Sequence, residues 1–283
     1  MADIVLAAVP TPFNAEGDLD IHGARRVFAY IAGEVDGLFL AGTTGEFPAL
    51  DRDERIEVIE LGIEAAGPDR VIAQVGAPDA YRAARLAADV VQLGATRIAA
   101  ITPYYGTPLP AELTDYYLRI RDAAPGAELY AYLFPERAGL ALSPDAFAAL
   151  AETAGLAGAK MSGSAAGNVA ACAAACPGLK IYSGDDSDVG AVLRAGAAGV
   201  ISARAAAFPR VYRALADALA AGDTAAAARH QADVESIVAL GTSTGRIKAA
   251  LRHRGFVPMT SRMPADDPDE ATSARIAELV KTL

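Results

Sequence analysis

Eight times along this chain a short apolar run is followed by a longer segment of helical character. The runs lie at 4–12, 37–42, 71–76, 97–102, 128–134, 156–161, 179–183 and 198–203. Each is rich in Val, Ile, Leu or Ala, and most end in Gly, Thr, Pro, Ser or Asp. Continuous apolar runs of this length suit parallel strands buried on both faces. Helical segments at 52–66, 79–93, 110–123 and 144–153 fall between them. Asp51-Arg52-Asp53-Glu54 and Ser143-Pro144-Asp145 supply a capping residue and early acids at two helix starts. Eight βα units in about the first 220 residues predict an α/β fold closed as a (β/α)8 TIM barrel. An open doubly wound sheet is the rival, but the Gly-rich dinucleotide fingerprint does not follow the first strand. Further helices at 207–221, 224–240, 244–253 and 268–281 predict the last barrel helix followed by a C-terminal helical extension. The domain expectation is therefore a barrel over 1–222 and an extension over 223–283.

Charge narrows the partners. The formal net charge is −10 and no block of Lys or Arg offers a basic face, so nucleic acid is not an expected partner. An anionic substrate must be captured by a few local positive groups against the overall field. The longest uncharged run, Met161 to Leu179, is interrupted by Gly, Ser, Asn and Pro, which argues against a membrane span. The opening MADIVLAAVPTPF lacks a basic n-region and breaks at Pro10 and Pro12, so it reads as a first strand and not as a signal peptide. Cys172 and Cys176 stand i,i+4 in an Ala-rich segment. With no further ligand nearby they read as small buried residues, not as a metal or redox pair. A cytoplasmic location is expected.

Barrel enzymes carry their chemistry at the C-terminal ends of the strands. Those ends hold Gly42-Thr43-Thr44-Gly45-Glu46, Thr102-Pro103-Tyr104-Tyr105-Gly106, Tyr132 to Arg137, Lys160, and Ser183-Gly184-Asp185-Asp186. Of the four lysines, Lys180 precedes a strand at the far end, Lys248 and Lys281 fall in C-terminal helices, and only Lys160 sits inside an apolar strand. Burial of an ammonium lowers its pKa, and a neutral amine can attack a ketone to form an imine. A buried ion pair, or a lysine reaching out to the barrel mouth, would explain the same placement. The Gly-Thr-Thr-Gly turn can cradle a carboxylate at a helix start, or be an ordinary capped turn. Tyr132 and Tyr105 can relay protons or simply pack. Arg137 can clamp a carboxylate or make a surface salt bridge. Helix capping explains Asp185, Asp186 and Asp188 more cheaply than a cation site. His22, His230 and His253 fall in helices, so neither a metal nor an organic cofactor is expected.

The ordered motifs resemble the dihydrodipicolinate synthase / N-acetylneuraminate lyase family of class I aldolase-like enzymes. They run from AAVPTPFNAEGDLD (7–20) through GTTGE (42–46), TPYYGTP (102–108), YLFPERAG (132–139), GAK (158–160), SGDD (183–186) and GVIS (199–202) to GRIKAAL and SRMP. The resemblance implies that Lys160 forms a Schiff base with a small 2-oxo acid, pyruvate. It implies a proton relay of Thr43, Tyr132 and Tyr105, with Tyr105 reaching a neighbouring subunit's site. Thr44 would hold the pyruvate carboxylate, Gly184 and Ile201 would line the pocket, and Arg137 would bind the carboxylate of an aldehyde partner. A homotetramer built as a dimer of dimers is implied as well. The alternatives are an aldolase or dehydratase acting on another 2-oxo acid, and a non-catalytic relative that binds 2-oxo acids. Phe47, Leu133, Ala138 and Met161 depart from the usual family residues around the site. Arg52, Arg55 and Pro78 replace the residues that bind feedback lysine in regulated synthases, so lysine inhibition is not expected.

Overall fold

The computed structural model describes residues 4–283; the first three residues of the N-terminal segment lie outside it. Eight strands follow chain order around a closed barrel: β1 Val5–Ala8, β2 Gly37–Leu40, β3 Val71–Gln74, β4 Arg97–Ile101, β5 Glu128–Leu133, β6 Gly158–Met161, β7 Lys180–Ser183 and β8 Gly199–Ser202. The described pairings are all parallel. Every expected strand is present, each shorter than its apolar run; after β1, β2 and β3 the run continues into a buried connection. The expected TIM barrel is the observed fold.

Two compact units make up the chain. One spans Val71–Ile201 and holds the strands from β3 onward with α3 (Ala80–Gln92), α4 (Pro110–Ala123), α5 (Pro135–Ala138), α6 (Pro144–Ala154), α7 (Val169–Ala175) and α8 (Val189–Arg194). Within it α3 packs on α4, α4 on α6, and α6 on α7. Ser143 caps α6 through Ala146 N, Pro144 takes the first helical position, and Gly155 ends the helix at φ +63. Gly158 opens β6 where a Cβ would lie 2.0 Å from the Lys180 carbonyl oxygen, so only glycine admits the β7 backbone there.

The other unit comprises Ile4–Arg70 and Ser202–Leu283. It holds β1, β2, α1 (Ile21–Ala32), α2 (Arg52–Ala66), α9 (Arg204–Ala207), α10 (Pro209–Ala221), α11 (Thr224–Val238), α12 (Thr244–His253) and α13 (Glu270–Thr282). Helix α2 begins in a capping box between Asp51 and Glu54, as its sequence predicts. Helices α1 and α2 pack together, as do α10 with α11 and α12 with α13. Among the described residues no helix is long and apolar enough to cross a membrane.

Candidate active site

Strands β5 and β6 fix the centre of the site. Tyr132 is in register with Lys160, and Lys160 with Tyr182. Residues in register on parallel strands share a face, while their immediate neighbours face the other way. Lys160 is only 5% exposed, and its Nζ lies 4.4 Å from the centroid of the Tyr132 ring. Burial lowers the Lys160 pKa from its ordinary 10.5 to about 7. At neutral pH a large fraction of the amine is therefore unprotonated and nucleophilic.

The neighbouring side chains extend the site along β5. The Tyr132 and Phe134 rings have centroids 6.1 Å apart, and the Arg137 guanidinium sits 5.8 Å over the Phe134 ring. Arg137 is exposed and rides on the single turn α5. That turn is fastened by Glu136, whose carboxylate accepts a 2.8 Å hydrogen bond from Ser164 N in the loop after β6. Hydrogen bonding from the Ser164 side chain, and then from its backbone N–H, holds the Glu136 pKa below its ordinary value. A cation is thus presented over the Phe134 face, whose ring neighbours that of Tyr132. Such a guanidinium is suited to a second carboxylate.

Gly184 follows β7 and abuts the end of β6. A Cβ there would lie 2.2 Å from Ser162 Oγ and 3.1 Å from its Cα. Ile201 is buried in β8. Tyr105 stands fully exposed on the loop after β4. Asp188 caps α8 through Ala191 N, and Asp185 accepts from the Ser187 backbone and hydroxyl, so these acids are used in capping and turn formation. Among the described residues no group of three or more metal-ligating side chains is gathered. Cys172 and Cys176 are buried thiols with no disulfide, and burial raises both pKa values, that of Cys172 to about 11.

In the other unit the turn after β2 carries Thr43 and Thr44, both partly exposed. Glu46 N donates to Thr43 O at 3.0 Å, Phe47 N donates to Gly42 O at 3.2 Å, and Thr11 Oγ1 donates to Gly45 O at 2.8 Å. Gly42 is needed because a Cβ would come within 2.5 Å of the Phe39 ring. The turn does not open an α-helix, as expected of an anion cradle at a helix start. It runs into a single 3-10 turn at Phe47–Ala49, and α2 begins only at Arg52. Phe47 is buried beneath the Arg55 guanidinium, 5.3 Å from its ring centroid.

Two of the departures from the family pattern lose their force in this geometry. Leu133 and Met161 are in register with each other, one residue beyond Tyr132 and Lys160, so they face away from the amine. Both are buried in packing. The residues that sequence reasoning overlooked are Phe134, Ser162 and Tyr182. Alternation from Tyr132 and Lys160 carries the signal for the first two, and only strand register reveals the third. A fourth omission is Lys248, expected merely in a helix, which is fully buried against Glu46.

Comparison with known proteins identifies the family and the fold. The profile of the Dihydrodipicolinate synthetase family matches residues 1–283. A 4-hydroxy-tetrahydrodipicolinate synthase of Synechococcus sp. (strain WH7803) is 33% identical over 285 residues, covering 99% of this chain and 94% of that protein. The enzyme of the same name from Methylococcus capsulatus is 33% identical over 265 residues, covering 92% and 91%. Among solved structures, YagE, a prophage protein of the dihydrodipicolinic acid synthase family from E. coli K12 in complex with pyruvate, superposes with a TM-score of 0.89 at 27% identity, covering 99% and 98%. A Ruminococcus gnavus sialic acid aldolase shares the fold, with a TM-score of 0.89 at 24% identity over 99% and 96%. The chain belongs to the dihydrodipicolinate synthetase family.

Proposed function

We propose that this chain is a pyruvate-dependent enzyme of the class I aldolase type, resembling 4-hydroxy-tetrahydrodipicolinate synthase. The observation that carries the reading is one buried amine, Lys160, with a pKa near 7 at the C-terminal end of a barrel strand. Its lone pair adds to C2 of pyruvate, and the carbinolamine loses water to give the protonated imine. Loss of a C3 proton then leaves the enamine, whose C3 adds to an aldehyde carbonyl. In reverse, a longer 2-oxo acid is cleaved. Hydrolysis of the product imine restores the amine.

Each step moves a proton, and the relay we assign is Tyr132, Thr43 and Tyr105. Tyr132 has its ring beside the amine. Thr43 is assigned from its place in the GTTGE motif. Tyr105, exposed on its own chain, suits a role at a neighbouring subunit's site within a dimer of dimers. Thr44 receives the pyruvate carboxylate, with Gly184 and Ile201 lining the pocket. Arg137 on its Phe134 platform receives the carboxylate of the aldehyde partner. That arginine, with Leu133 and Met161 turned away from the amine, favours the synthase direction over cleavage of a sugar acid. We take 1–222 as the catalytic barrel and 223–283 as the extension. The unpaired, high-pKa thiols suit a reducing, cytoplasmic setting.

The test uses pyruvate alone. Enamine formation in D2O exchanges the pyruvate methyl protons for deuterium, read by proton NMR. The wild-type protein is expected to catalyse exchange and Lys160→Met to abolish it. Equal exchange by both proteins overturns the proposal.

A further inference from the structure

Glu46 of the GTTGE motif and Lys248 of the GRIKAAL motif have no part in the reaction above. They lie 202 positions apart and meet in a buried ion pair, Lys248 Nζ to Glu46 Oε1 at 2.5 Å. Lys248 is 0% exposed and Glu46 is 2% exposed. The second oxygen, Glu46 Oε2, accepts from Arg262 N at 2.9 Å and Met263 N at 2.8 Å, in the SRMP segment. Lys248 Nζ also donates to Thr260 O at 2.6 Å and sits 4.6 Å over the Phe13 ring. The segment that grips Glu46 is itself anchored. Arg262 makes a two-pronged contact with Glu54, both arms at 2.6 Å, and donates to Gly17 O and Ala49 O.

Glu46 is also the residue that closes the Thr43-Thr44 turn, and it does so at φ 55, a left-handed conformation that costs an L-residue energy. Ala41, at the other end of the turn, has φ 50. A turn bounded by two such residues persists only where its surroundings over-determine it. A buried ion pair is a poor device for stability alone, because a well-packed apolar pair does as well or better. It is a good device for fixing one geometry, since both carboxylate oxygens are bound to defined donors.

We propose that Glu46 and Lys248 are positioning residues that hold the 42–46 turn, and with it Thr43 and Thr44, in the form that receives the carboxylate of pyruvate. The C-terminal segment 244–263 thereby serves the site as a clamp. This inference rests on the assignment of Thr43 and Thr44 made above.

The test is Glu46→Gln, assayed by pyruvate methyl exchange. The carboxamide has one acceptor oxygen and turns an N–H toward a donor on one side, so the grip on the turn is lost. The expected result is a KM for pyruvate raised at least about ten-fold, a difference that corresponds to one weakened charge-assisted contact. Lys160 should still be trapped by borohydride at saturating pyruvate. A merely structural pair would lower the folded fraction, and hence kcat, and leave KM where it was. An unchanged KM in folded Glu46→Gln overturns the proposal. If that variant does not accumulate folded, the double variant Glu46→Gln/Lys248→Met, which buries no net charge, replaces it and is judged by the same KM. Failure of the wild-type protein to be trapped would instead overturn the reading of Lys160 on which the inference stands.

Discussion

Replacing Lys160 by Met should make the protein more stable as well as inactive, and more so at low pH than at high pH. Lys160 is 5% exposed, and burial brings its pKa from 10.5 to about 7. Between those two values the unfolded chain holds a proton that the folded chain has shed. Stability of the wild-type protein therefore rises with pH across that window, and the penalty is fully present below about 7. At 1.36 kcal/mol per pH unit, the full penalty is on the order of 5 kcal/mol, and about 4 kcal/mol remains at pH 7. A chain of 283 residues unfolds with an entropy near 0.6 kcal/mol per kelvin, so this corresponds to roughly 7 °C in Tm. Scanning calorimetry of both proteins from pH 6 to 10 isolates the effect, because every other titrating group is common to the pair. The Lys160→Met advantage should be largest at pH 6–7 and shrink by several degrees towards pH 10. A Tm difference that does not vary with pH would refute the reasoning, since it would mean that Lys160 keeps its proton in the folded protein.

The same pKa governs the rate: kcat/KM for pyruvate exchange should fall about ten-fold per pH unit below about 7 and level off above it, and a profile without a bend between pH 6 and 8 contradicts the assignment. With aspartate semialdehyde as a trial carboxylate-bearing aldehyde, Arg137→Ala should raise its KM about 10²-fold, the loss of one charge-assisted carboxylate contact. A comparable rise in the KM for pyruvate would place Arg137 at the wrong end of the site. Gly184→Ala, whose new Cβ would meet Ser162 Oγ at 2.2 Å and its Cα at 3.1 Å, should cost ~1–3 kcal/mol and lower Tm by roughly 2–5 °C, and an unchanged Tm argues against the close packing of β6 and β7 at this point.

Much of the fold is written in local pattern. The apolar runs buried on both faces gave all eight strands, and the Asp51 and Ser143 caps placed α2 and α6 to within a residue. The apolar runs overshoot the strands, as after β1, where burial continues through 10–13 beyond the ladder. Lys160 was legible because a lysine inside an apolar strand has few explanations. The Thr43-Thr44 turn does not sit at a helix start, because three residues of 3-10 turn and a linker intervene before Arg52. Leu133 and Met161 looked like changes to the pocket until register showed which way they point. The Glu46–Lys248 pair was beyond reach, since nothing local marks a helix lysine as the partner of a turn glutamate 202 residues away.

The most direct test is reduction with borohydride in the presence of pyruvate, followed by peptide mapping by mass spectrometry. Among the described residues two lysines are buried, Lys160 with its pKa lowered by burial to about 7 and Lys248 paired to Glu46. The account predicts the added mass on the Lys160 peptide and none on the Lys248 peptide. An unlabelled protein, or label on Lys248 in place of Lys160, would contradict it.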